Sequence, residues 1–126
     1  MPRRSCSVHK GATMYQRYNK YQNQRTNIDG RWFDSKREAR RFCELQLLER
    51  AGEITDLSTQ VPFRLLEKQV REHGKPEQPV DYIADFTYRD KDGRFVVEDA
   101  KGKRTAEYII KRKLMLFIHG IEIREV

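Results

Sequence analysis

The stretch VDYIADFTYRDKDGRFVVEDAKG, residues 80 to 102, restricts the possible folds more than any other part of the chain. Two segments rich in β-branched and aromatic residues flank Asp90-Lys91-Asp92-Gly93, a turn sequence, so the whole reads as a β-hairpin. A turn this short fixes the register. The numbers of antiparallel partners must add to about 183 or 184, which sets Asp85 opposite Glu98 or Asp99. Strand alternation puts Val97, Asp99 and Lys101 on one face and Glu98 on the other, and so selects Asp99. A slip of one residue would put Glu98 in its place.

Directly opposed residues in such a ladder have Cα atoms ~4.5–5.5 Å apart. Two carboxylates held at ~5 Å repel by roughly 3 kcal/mol at an effective dielectric of ~20, so a fold that keeps them together needs something to neutralise them. A divalent cation does this: Mg²⁺ typically takes one or two carboxylates and keeps several waters, leaving room for a phosphate oxygen. Lys101 would stand beside such a site, where an ammonium can orient a nucleophile or offset developing charge. An ordinary Asp85–Lys101 ion pair on a solvated sheet face is the plainer reading of the same residues.

The hairpin sits within a legible order of elements. TNIDGRWFDS alternates around Asp29-Gly30 as a small hairpin would, so order is expected to begin near Thr26. DSKREARRFCELQLLERAGEI predicts a helix: Ser35 can cap it, Ala39, Phe42, Leu45 and Leu48 recur at helical spacing, and Gly52 falls just past the end. Residues 54–67 read as a strand that Pro62 makes bulged or peripheral, and REHGKPEQP as a polar loop. After the hairpin, TAEYIIKRKLMLFIHG predicts an amphipathic helix capped by Thr105 and ended by Gly120, and IEIREV a last strand. The order is α-β-β-β-α-β. Its second helix supplies a crossover, which implies an α/β sandwich with a mixed sheet flanked by helices.

At 126 residues the chain has room for one core, expected over residues 26–126. The net charge of +7 is concentrated outside it: six of the 26 bases lie in residues 1–25 with no acid, leaving 20 bases against 19 acids. That basic N-terminal arm, which carries Arg17 and Lys20 among Tyr15, Tyr18 and Tyr21, could grip phosphates and stack on bases, or be a solvated flexible tail. No apolar run approaches the ~20 residues of a bilayer span, and the basic N-terminus lacks a signal peptide's apolar stretch, so the expectation is a soluble cytoplasmic protein. Cys6 and Cys43 lack metal-ligand spacing and are expected to be free thiols. His9, His73 and His119 have no mutual spacing suited to a metal or a triad.

Asp85 in YIADF followed by Asp99-Ala100-Lys101 resembles the bipartite signature of the PD-(D/E)XK nuclease superfamily, whose core order is the one read above. FDSKREARRF, LSTQVPF, YIADF and VVEDAKGKRT together are similar, more narrowly, to a family of small phage and prophage proteins assigned to that superfamily and otherwise of unknown function. Two positions depart from the pattern: Ala84 stands where the signature has proline, and the second acid is aspartate where glutamate is common. The resemblance implies a restriction-endonuclease-like core and a Mg²⁺- or Mn²⁺-dependent endodeoxyribonuclease. Asp85, Asp99 and the Ala100 carbonyl would hold metal and Lys101 would be catalytic. Glu38, on the first helix, would join the site, although Ser35-x-x-Glu38 is equally a capping box. Gln60 matches a glutamine found near the site in related families.

The implied partner is DNA, held through Gln60 and through Arg40, Lys103, Arg104, Lys111 and Lys113 together with Arg17 and Lys20, on backbone phosphates and without sequence readout. No membrane and no small-molecule cofactor is expected, and a phage-encoded protein would work in the host cytoplasm. Small superfamily members include Holliday junction resolvases; that narrower reading expects a homodimer with two sites. The alternative is a non-catalytic DNA-binding or scaffold protein with the same fold. A third reading, an RNA-binding module, needs Tyr82, Phe86 and Tyr88 exposed as a stacking surface.

Overall fold

A computed structural model of the chain describes residues 9–10, 25–28 and 30–126. Strands β1 (His9–Lys10), β2 (Thr26–Ile28) and β3 (Arg31–Phe33) form a small antiparallel sheet, with Gly30 at φ 85° in the tight connection between β2 and β3. Apart from β1 and Arg25, the N-terminal arm, with Arg17 and Lys20, lies outside the described residues. Helix α1 (Lys36–Arg50) follows, capped by Ser35, whose Oγ accepts from the Glu38 N–H at 3.2 Å. Next come β4 (Thr55–Leu66), β5 (Val80–Arg89), β6 (Phe95–Asp99), α2 (Ala106–Leu114) and β7 (Arg124–Glu125).

The expected order of helix, three strands, helix and strand is therefore present, and the fold is mixed α/β. The main sheet runs β4-β5-β6-β7; the first two pairings are antiparallel and β6 with β7 is parallel, joined through α2. Strand β4 lies at the edge, which is where Pro62 can be tolerated. Two features were not expected. The helix begun by α2 continues as a π-helical turn, Met115–His119, before Gly120 ends it at φ 66°. The last strand is only two residues long.

Two apolar clusters cover the sheet. Phe42, Leu45 and Ala39 of α1 pack with Ile28, Phe33, Ile54, Phe86, Tyr88 and Val96, and the Phe33 and Phe42 rings meet at 5.0 Å. Tyr108 and Met115 pack with Leu65, Tyr82, Ala84, Val97 and Ile123. Strand β5 thus gives Tyr82 and Ala84 to one cluster and Phe86 and Tyr88 to the other, changing the face it presents at Asp85. All three aromatic residues proposed as an RNA-stacking surface are buried, because the helices cover them; this removes the basis of the RNA-module reading. Cys43 is disulfide-bonded, which corrects the expectation of a free thiol; its partner lies outside the described residues. Among the described residues no helix is long and apolar enough to cross a membrane.

Candidate active site

The β5–β6 ladder pairs Phe86 with Glu98, Thr87 with Val97 and Tyr88 with Val96, the register in which the next step sets Asp85 opposite Asp99. Beyond Asp99 the chain leaves the strand, and the Ala100 N–H donates to Asp85 Oδ2 at 3.0 Å, tying the two halves of the motif together. On the other side of Asp85, the β4–β5 ladder pairs Thr59 with Phe86 and Val61 with Ala84. Gln60, between them, has φ 53°, a left-handed conformation that costs a non-glycine residue about 1–2 kcal/mol. From there its Nε2 donates to Glu38 Oε1 on α1 at 2.8 Å. An irregular point in β4 thereby links the first helix to the strand carrying Asp85.

Asp99 is buried, and its two oxygens have different surroundings. Oδ2 accepts from the Tyr82 hydroxyl at 2.5 Å. Oδ1 has no hydrogen-bond partner; the Lys101 ammonium stands 3.2 Å from it, a charge contact without hydrogen-bond alignment. Lys101 also lies over the face of Tyr108, 4.3 Å from the ring centroid, so the ammonium is held between a carboxylate and a π-surface. Its partner is thus Asp99 rather than Asp85.

Burial, and after it the charges of Asp99 and Glu38, push the Asp85 carboxyl from 3.8 up to about 8. Glu38 is also buried; desolvation first, then the charge of Asp34 and more weakly that of Asp99, raise it from 4.5 to about 7. Its backbone N–H takes the Ser35 cap while its side chain turns to Gln60, so the residue serves the helix end and the acidic cluster at once.

Glu98 points to the opposite face and has a different task. Its side chain is fully buried, and Arg41 of α1 donates from Nε and Nη2 to its two oxygens at 2.8 Å each. Tyr88 donates to the same carboxylate and itself accepts from Arg124 Nη1 at 3.2 Å. Glu98, expected as the alternative to Asp99 if the register slipped, thus has both oxygens engaged by Arg41 and Tyr88.

The expected DNA contacts divide. Arg104 is paired with Glu125 at 3.0 Å and Lys111 with Glu107 at 3.1 Å. Arg40, Lys103 and Lys113 are exposed. Gln60 is engaged with Glu38. Tyr82 and Tyr108, which support Asp99 and Lys101, had no role in the site expected from sequence; their signal is at most the alternation of β5 and the apolar stripe of α2.

Among the described residues, no three His, Cys, Asp or Glu side chains stand together as a set able to hold a metal ion. The aspartate pair nevertheless fits a hard divalent cation that takes one or two carboxylates and completes its shell with water. Asp99 Oδ1 is a buried acceptor with no donor, and Asp85 keeps a proton near neutrality where a cation could take its place. The all-oxygen donors suit Mg²⁺ or Mn²⁺.

Residues 18–123 match a family described as "Protein of unknown function (DUF1064)". No curated protein and no solved structure matches the chain.

Proposed function

The chain belongs to the DUF1064 family, whose description names no activity, and we propose that it is a metal-dependent endodeoxyribonuclease hydrolysing DNA phosphodiester bonds. The observation that carries this reading is the undonated, buried Asp99 Oδ1 beside Lys101, in register with an Asp85 that cannot readily ionise next to it. Beyond the ion pair that Lys101 makes with it, this oxygen accepts no aligned hydrogen bond, and a second acid stands in register beside it, which a plain surface ion pair does not require. The resemblance of Asp85 and Asp99-Ala100-Lys101 to the PD-(D/E)XK signature supports the same chemistry.

In this reading Asp85 and Asp99, with the Ala100 carbonyl, hold Mg²⁺ or Mn²⁺. The bound ion supplies positive charge against that developing on the phosphoryl oxygens. Lys101 presents its ammonium to the scissile phosphate from the Asp99 side, positioned by the Tyr108 ring. Tyr82 holds Oδ2 of Asp99, which leaves the buried Oδ1 as the oxygen without a donor. In the same reading Glu38, held by Gln60, would accept a proton; a carboxyl raised to about 7 exchanges protons near neutrality. A four-way junction is the narrower substrate proposed, and it requires a homodimer.

Cleavage of labelled linear, nicked, single-stranded and four-way-junction DNAs in Mg²⁺, Mn²⁺ or chelator tests the reading against Asp99→Ala and Lys101→Ala. Metal-dependent cuts absent from both variants are expected. A wild type that binds these DNAs and cuts none would replace the nuclease reading with a non-catalytic DNA-binding or scaffold function.

A further inference from the structure

A second site adjoins the acidic cluster. A cleft of about 440 Å³ opens between the first half of α1 and the end of the main sheet, lined by Arg37, Arg40, Arg41, Glu44 and Val126. Arg41 is already committed to Glu98 and Glu44, at 2.8 and 2.9 Å, and forms a rigid part of the wall. Arg37 and Arg40 are exposed and make no ion pair or side-chain hydrogen bond among the described residues, so two of the cleft's three guanidiniums are uncommitted. At i and i+3 on one helix, their side chains are neighbours. The Arg37 Nε lies 3.8 Å from where a Cβ on Gly102 would be, close against the turn that follows Lys101.

The cleft shares backbone with the acidic site. Val126 N donates to Asp99 O at 3.0 Å and Lys101 N donates to Val126 O at 3.3 Å. One wall of the cleft is thus a single strand spacing, ~4.8 Å, from the segment carrying Asp99 and Lys101. Two unpaired guanidinium forks at that distance suit a second phosphate on a polyanionic chain, because a phosphate presents enough oxygens to engage both forks at once, where a single carboxylate has two. We infer that this cleft is a nucleic-acid subsite in which Arg37 and Arg40 hold a backbone phosphate flanking the one at the acidic cluster. The inference rests on the nuclease reading for the direction of the strand, and on the cleft for its chemistry.

The test is the salt dependence of binding of a short fluorescein-labelled duplex, read by anisotropy with chelator present, between about 50 and 200 mM salt. Arg37→Ala/Arg40→Ala is expected to make the log–log slope shallower by about 1.8, at ~0.9 for each positive charge withdrawn from the DNA backbone. Lys91→Ala/Arg94→Ala, at the far hairpin tip, should leave it unchanged. Arg37→Lys/Arg40→Lys should keep the slope while weakening binding, because the forks are gone and the charge is not. Matching circular dichroism and thermal midpoints establish that the variants fold. An unchanged slope in the double alanine variant overturns the subsite, even if the wild type cleaves DNA. A reduced slope with no cleavage by the wild type in Mg²⁺ or Mn²⁺ supports the subsite and overturns the hydrolytic reading. No binding of DNA by the wild type overturns both.

Discussion

Arg41 on α1 holds both carboxylate oxygens of Glu98 on β6, each at 2.8 Å, and Glu98 is fully buried. This pair explains why adjacent acids can occupy one strand. Glu98 secures α1 to the sheet on one face, and Asp99 is left to the opposite face, where its Oδ1 meets only the charge of Lys101. The hydrogen bonds to Glu98 hold the Arg41 guanidinium well above its ordinary basicity.

Removing one partner of this pair should cost more than removing both. Arg41→Ala leaves a carboxylate buried with the Tyr88 hydroxyl but without its counter-charge, and is expected to lose about 3–5 kcal/mol in urea unfolding. Arg41→Leu/Glu98→Leu should recover much of that loss, because no buried charge remains. A loss below ~1 kcal/mol for Arg41→Ala would mean that the pair behaves like a surface ion pair.

The acidic cluster should make the metal-free protein less stable as pH rises. Asp85 at about 8 and Glu38 at about 7 hold protons in the folded state that their ordinary values of 3.8 and 4.5 would release on unfolding. Between those limits the unfolded chain binds fewer protons, so the stability present in acid is lost as pH climbs through the folded values. The thermal midpoint in chelator should fall from about pH 5 to pH 8, each carboxyl contributing at most about 1.4 kcal/mol for every pH unit in which only the folded state holds its proton. Asp85→Asn should flatten the alkaline part of the curve, and Mg²⁺ should raise the midpoint most at pH 8. A midpoint that rises over this range would refute the buried carboxylate pair.

How much of this could be read beforehand depended on the range of the interactions. The Asp85–Asp99 register was legible because the Asp90–Gly93 turn and the alternation of both strands are local, and parity alone separated Asp99 from Glu98. The helix start at Ser35 was legible for the same reason. Arg41 was not, since nothing along the chain distinguishes it from Lys36, Arg37 or Arg40; only the packing of α1 against β6 selects it. Tyr82 was legible as a strand residue, but its contact with Asp99 arises from the change of face at Asp85, which periodicity does not predict. The π-helical turn at Met115–His119 likewise falls within an apolar stripe that reads as continuous helix.

Gln60 combines a backbone cost with a side-chain contact, and two substitutions separate them. Both Gln60→Ala and Gln60→Gly remove the amide that donates to Glu38, but only glycine adopts φ 53° without strain. Gln60→Gly should therefore be more stable than Gln60→Ala by about 1 kcal/mol in chemical denaturation, despite glycine's greater freedom in the unfolded chain. Equal stabilities would mean that the left-handed turn is not kept when the amide is absent.

Ser35 and Glu38 meet in a single hydrogen bond, yet their substitutions should have different signatures. Ser35→Ala removes the acceptor of the Glu38 N–H and should cost about 1 kcal/mol at every pH, with no change in the stabilisation Mg²⁺ provides. Glu38→Gln keeps that backbone bond and removes a carboxyl whose folded value is about 7, so the metal-free protein should gain stability at pH 8 relative to wild type. If Glu38 faces the bound ion, Glu38→Gln should also reduce the Mg²⁺-induced rise in thermal midpoint, because a negative charge has left the cluster. A Glu38→Gln protein less stable than wild type at pH 8, with an undiminished response to Mg²⁺, would make Glu38 a helix-end residue and reduce the site to Asp85, Asp99 and Lys101.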